Sequence, residues 1–138
     1  MKIIKKTKIV DKNFKTVFDN VAQLKLSSKY KINSGGCGWF AYFLAKQFPN
    51  LKIYYQHPDD IRALKKGQGS ACNHVLLWDG KRYYDSNGVY TGYINKGELV
   101  EVSIAYLRKS LKTNNVWNTT FDTNKVEIIE KKILKVVN

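Results

Sequence analysis

Residues 35–48 read GGCGWFAYFLAKQF and residues 74–85 read HVLLWDGKRYYD, and between them these two stretches decide the fold. The run from Gly38 to Phe48 is almost wholly apolar and has no glycine or proline in its interior, so it predicts a buried central helix that Pro49-Asn50 ends. In the second stretch, strand-forming residues flank Asp79-Gly80, a favoured pair for a type I′ turn, which predicts a two-stranded hairpin. A buried helix followed by a hairpin is the pattern of an α+β domain, a helix packed on a small antiparallel sheet.

Outward from that centre the signals weaken. Residues 2–10 alternate as a short strand would, and Phe14, Val17, Phe18, Val21 and Leu24 have the spacing of one helical face over residues 13–26. The stretch SSKYKINSGG has turn chemistry and is expected to cross the surface before Cys37. Leu51 to Gln56 reads as a buried strand. Residues 58–66 read as a short helix, with Pro58 at a first helical position, Asp59 and Asp60 at the positive end, and Lys65 and Lys66 at the negative end. GQGSACN is then a connector, residues 87–97 are broken into turns by Gly88, Gly92 and Gly97, and residues 103–112 and 125–137 have helical apolar spacing.

The 138 residues suit a single domain over 1–138, with one hydrophobic core. No apolar stretch approaches the ~18 residues of a membrane span, and the lysine-isoleucine alternation at the N-terminus is not an export signal. A membrane partner is therefore not expected, and a cytoplasmic place of action is. Two cysteines and two histidines match no common zinc pattern, so neither a metal nor another cofactor is expected, and free thiols are. The net charge of +13 is concentrated in residues 1–31 and 108–138, while the middle is nearly balanced. The basic N-terminal segment would suit an acidic partner. Lysine far outnumbers arginine, however, which argues against base-specific nucleic-acid recognition.

Three residues in the two central stretches form a chemical pattern. A hairpin centred between Asp79 and Gly80 would set Trp78 opposite Lys81, Leu76 opposite Tyr83 and His74 opposite Asp85. Direct cross-strand neighbours lie about 5 Å apart at Cβ, near enough for the carboxylate to fix the imidazole and favour its protonated form. Cys37 follows two glycines at the head of the helix, where the macrodipole and a nearby imidazolium favour thiolate and little steric cover is expected. Backbone N–H groups of the same helix start, that of Gly38 among them, could receive an oxyanion. Asn33 is the candidate side-chain donor, with Gln23 as second choice. Gly36, Trp39 and Asn73 flank the nucleophile and base and are assigned to substrate binding, although Trp39 with Phe40, Phe43 and Leu44 also fits a core helix. Cys72, two residues before His74, is the competing nucleophile, and Tyr83, Tyr84 and Tyr90 could line a groove or fill a half-buried sheet.

GGCGWFAYFLA followed by NHVLLWDGKRYYDSNG resembles the papain-like and transglutaminase-like cysteine enzymes over roughly residues 33–90. That resemblance implies a papain-like domain in which Cys37 is the nucleophile, His74 its base and Asp85 the group orienting the histidine. The activity it implies is that of a cysteine peptidase or amidase acting on a peptide or protein through a thioester. Transfer of the acyl group to an amine is the second enzyme reading, and a non-catalytic basic binding protein on the same fold is the third.

Overall fold

The computed structural model describes residues 13–33, 36–56, 74–92, 94, 99–112 and 121–138. The expected strand at 2–10 and helix at 58–66, together with His57, Cys72 and Asn73, lie outside the described residues. Described elements are α1 (Phe14–Ala22), α2 (Leu26–Tyr30), α3 (Cys37–Gln47), β1 (Lys52–Tyr55), β2 (Val75–Trp78), β3 (Tyr83–Asp85), β4 (Gly88–Val89), β5 (Val100–Val102), α4 (Ile104–Lys112), a 3₁₀ turn (Thr123–Lys125) and α5 (Val126–Val137). The strands form one antiparallel sheet in the order β4-β3-β2-β1-β5. This is an α+β architecture.

Each helix begins and buries a face for local reasons. Asn13 caps α1 by accepting the Lys15 N–H at 3.0 Å, and the Ser103 hydroxyl caps α4 by accepting that of Tyr106 at 3.0 Å. Val17, Phe18 and Val21 of α1 are buried, as are Ile129, Ile133 and Val137 of α5 at successive one-turn intervals. Helix α3 differs because it is buried along most of its surface, with Phe40, Ala41, Phe43, Leu44 and Ala45 all in the core.

One side of the sheet joins these helices. Ile53, Tyr55, Val75, Leu77 and Tyr84 enter the core, and Tyr84 stacks on Phe18 at 4.2 Å between ring centroids and 13° between planes. Phe18 in turn leans on Phe40 of α3 at 6.2 Å, so one ring links α1, the central helix and β3.

Four sequence expectations change here, the first at Gly88, which does not break the chain into a turn but forms β4 with Val89, paired to β3. SSKY is not a surface crossing: it completes α2, because Leu26 and Ile32 are both fully buried and anchor that segment, and Lys25 and Lys31 take the left-handed backbone at either end. The short strand β5, which pairs with β1 through Val102 opposite Ile53, has no counterpart in the sequence reading. The hairpin forms with another register, Leu77 opposite Tyr84 and Trp78 opposite Tyr83. Its loop is therefore Gly80-Lys81, not Asp79-Gly80.

Asp79 is the reason for the shift. Its Oδ1 accepts the N–H groups of Lys81 at 2.7 Å and Arg82 at 2.8 Å, and its Oδ2 accepts the Tyr84 hydroxyl at 2.7 Å. Burial alone would raise the Asp79 pKa, but these bonds and the Arg82 charge hold it below the ordinary carboxylate range. Asp79 thus anchors the turn from its first position, and Gly80 supplies the positive φ of 101° that the next position needs.

Phe18→Ala should cost roughly 3–5 kcal/mol of stability, read as a lowered urea midpoint. A loss of less than about 1 kcal/mol would show that the stacked Phe18 and Tyr84 rings do not hold α1 to the sheet.

Candidate active site

The head of α3 is shaped by a glycine chosen for space. A Cβ on Gly36 would lie 2.9 Å from Ile32 Cγ1, from the Ile32 carbonyl oxygen and from Phe121 Cδ1, so no side chain fits there without moving backbone. Close packing at Gly36 brings Cys37 in as the first residue of the helix. The first ladder bond of that turn runs from the Phe40 N–H to the Gly36 carbonyl at 3.0 Å. The N–H groups of Cys37, Gly38 and Trp39 consequently have no acceptor within the helix, the usual state of a helix start.

The open thiol expected from the two glycines is not what the structure has. Cys37 is only 3% exposed, because the same packing of Ile32 and Phe121 that requires glycine at 36 covers the helix start. Gly36 and Gly38 are buried with it, whereas Trp39 is half-buried and its ring lies 6.1 Å from that of Phe43.

His74 immediately precedes β2, and its carbonyl accepts the Gln56 N–H at 3.0 Å, which extends the β1–β2 pairing by one step and fixes the histidine backbone. Asp85 closes β3. In the observed register Asp85 falls opposite Leu76 when the ladder is continued by one residue, so His74 is its diagonal neighbour two residues along the same strand, not its direct partner. The two side chains still meet, His74 Nε2 donating to Asp85 Oδ2 at 2.8 Å. The other carboxylate oxygen, Oδ1, accepts the Asn87 N–H at 2.8 Å across the tight turn to β4. Asp85 is thereby held at both oxygens.

His74 also hydrogen-bonds the Cys37 side chain. With Nε2 engaged by Asp85, Nδ1 is the ring nitrogen left to face the sulfur. Burial by itself pushes the His74 pKa down. The hydrogen bond to Asp85, then that to Cys37, and the charges of both outweigh burial and hold the ring at a pKa of about 9. The three side chains form one chain of hydrogen bonds, almost entirely out of water, with a protonated imidazole at neutral pH in the middle.

Other expected site residues fall into two groups. Asn33 is brought to the region, but its Oδ1 accepts the hydroxyl of the buried Ser86 at 3.0 Å, which ties the segment before α3 to the turn after Asp85. Its amide nitrogen is the end left to donate. Gln23 lies exposed at the C-cap of α1. The three tyrosines separate: Tyr84 is core, Tyr83 packs on Trp78 at 4.5 Å on the other side of the sheet, and Tyr90 lies against His74. Ser86 was not singled out from sequence, because nothing local distinguishes a buried serine after a strand from one in an exposed turn.

A cleft of about 480 Å³ lies elsewhere, lined by Lys46, Leu51, Ile53, Glu101 and Ile104. It sits at the C-terminal end of α3, roughly 12–15 Å along the helix from Cys37, and its lining, which includes Ser103, has neither a cysteine nor a histidine. Volume alone does not make it the reacting site. Among the described residues, no group of three or more His, Cys, Asp and Glu side chains could hold a metal ion, and no helix is long and apolar enough to cross a membrane.

Comparison with known proteins gives one match, to the family model described as "Phage YunG-like protein", over residues 10–130. No curated protein and no solved structure matches.

Because the folded His74 value of about 9 lies above the ordinary 6.5, the histidine contributes stability that is complete below pH 6.5 and lost as pH rises through about 9. Urea midpoints measured from pH 6 to pH 10 should fall across that window, and His74→Gln should remove this component of the fall. Matching profiles for the two proteins would contradict the His74 environment described above.

Proposed function

We propose that this chain, which belongs to the phage YunG-like family, is a cysteine hydrolase of papain-like type, a peptidase or amidase working through Cys37, His74 and Asp85. One observation carries the reading: a single imidazole is hydrogen-bonded to a carboxylate on one nitrogen and to a thiol at the head of a helix on the other side. A structural histidine needs only one such partner. The combination of a helix-start thiol, an imidazole held protonated and a carboxylate fixed at both oxygens is what an activated sulfur nucleophile requires.

In this reading the Cys37 thiolate attacks the carbonyl carbon of an amide, forming a carbon–sulfur bond and a tetrahedral oxyanion. The N–H of Gly38 at the helix start receives the negative oxygen, and Asn33 Nδ2 is the candidate side-chain donor. The carbon–nitrogen bond then breaks, the amine leaves with a proton from His74, and the acyl group remains on sulfur as a thioester. Water, losing a proton to His74, attacks the thioester and releases the acid, and the sulfur leaves as thiolate. Asp85 keeps the imidazole aligned. Of the residues flanking the nucleophile and base in sequence, Trp39 and Asn73 are the ones assigned to substrate contact; Trp39 is half-buried, whereas Gly36, expected beside them, is buried under Ile32 and Phe121. A peptide or protein is the substrate class in this reading.

Iodoacetamide should modify Cys37 well below pH 8.5, the ordinary thiol pKa, and Cys37→Ala should abolish that labelling. Asp85→Ala should slow labelling at pH 7 by about 10²-fold or more, the scale of positioned acid–base assistance. Equal labelling of the protein and its Cys37→Ala variant, or a Cys37 reactivity that titrates near 8.5, would rule out the proposed nucleophile.

A further inference from the structure

We infer that Tyr90 is a positioning residue for His74, and that Gly92 is the residue that seats it. The inference deepens the catalytic reading above and rests on it for its functional consequence, but its structural content stands on separate contacts. The Tyr90 ring lies against the imidazole with centroids 5.5 Å apart and planes tilted by 44°. Its backbone is fixed immediately after β4, where the Tyr90 N–H donates to the Tyr83 carbonyl at 2.8 Å. The far end of the ring abuts the chain two residues on: a Cβ at Gly92 would lie 2.3 Å from Tyr90 Oη and 2.5 Å from Cζ. Gly92 is exposed and its backbone is not in the left-handed region, so what a side chain there would meet is the end of the Tyr90 ring, which would have to move aside.

These contacts give the ring a definite task. Asp85 and Cys37 hold His74 through hydrogen bonds, which leave the flat side of the imidazole to be covered by something else. The Tyr90 ring is the aromatic neighbour of the imidazole, and the His74 side chain is left only 12% exposed. Excluding water at that side removes the competitor for the hydrogen bond from Nε2 to Asp85 Oδ2, which is worth more in a drier setting. It also obstructs rotation of the imidazole away from Cys37. The hydroxyl has no part in either task, so phenylalanine should serve as well as tyrosine.

The test uses protein labelled with ¹⁵N at histidine, with the His74 Nε2 proton identified by its loss in His74→Gln, and follows Cys37 alkylation by iodoacetamide at pH 7 in parallel. The wild type and Tyr90→Phe should show a protected Nε2 proton and the same alkylation rate. Tyr90→Ala should lose the proton resonance to exchange with water and alkylate about tenfold more slowly, less than the ~100-fold that a 1 Å misplacement can cost. Gly92→Ala, which keeps the tyrosine and displaces its ring, should reproduce both effects, and it decides the matter if Tyr90→Ala does not fold. An Nε2 proton equally protected in Gly92→Ala and Tyr90→Ala would overturn the inference. Loss of the proton in these variants, with a wild-type Cys37 no more reactive than an ordinary thiol, would support the positioning of His74 by Tyr90 and dismiss the hydrolase.

Discussion

The hydrogen bond from His74 Nε2 to Asp85 Oδ2 is the constraint on which the rest of the site depends. It assigns one ring nitrogen to the carboxylate and leaves the other for Cys37, and it keeps a positive charge on a largely buried ring that desolvation alone would neutralise. A buried charge of this kind persists only where its partners are immobile. Asp85 meets that condition because its second oxygen is tied to the Asn87 N–H, and His74 because its carbonyl is tied to β1 through Gln56. The sheet therefore acts on the site through its backbone, by fixing where two side chains start.

Helix α3 completes the arrangement from the opposite direction. Its apolar surface is buried among α1, α4, α5 and the sheet, so the position of its first residue is set by packing along its whole length. Gly36 lets Ile32 and Phe121 close over that first turn. The consequence is a sulfur that is both at the positive end of a helix and nearly removed from solvent, a setting in which the imidazolium and helix-start amides act at low dielectric. Burial at Cys37 and charge at His74 are thus coupled features of one packed corner.

Aromatic residues divide the work on the sheet. Tyr84 points into the core against Phe18, and its hydroxyl reaches back to Asp79, whose carboxylate organises the hairpin turn. Burial, then the hydrogen bond to Asp79 and its negative charge, push the Tyr84 pKa up to about 12, so this hydroxyl remains a donor throughout the neutral range. Tyr83, one residue earlier, lies on the other side with Trp78 and Tyr54. A one-residue change of register would exchange the faces of the two tyrosines, take Tyr84 out of its stack on Phe18 and break its bond to Asp79.

The sequence by itself determined the kinds of element and the chemical inventory: a helix from Cys37 to the residues before Pro49, strands around Asp79-Gly80, helices near 104–112 and 126–137, and a cysteine, histidine and aspartate in an order that suggested a triad. These are legible because apolar periodicity, helix-start glycine and proline breaks act over a few residues. Only the tertiary structure decided the hairpin register, the diagonal approach of His74 to Asp85, the helical state of SSKY, the burial of Cys37 and the placing of Tyr90 against the imidazole. Each of those depends on partners distant in sequence or on a side chain competing for backbone groups: Asp79 claims the turn N–H groups, Leu26 and Ile32 are drawn into a core built by other elements, and Phe121 covers a helix that begins at residue 37. Local pattern names the strands that pair, whereas the register between them follows from hydrogen bonds and packing that form only when the chain has closed on itself.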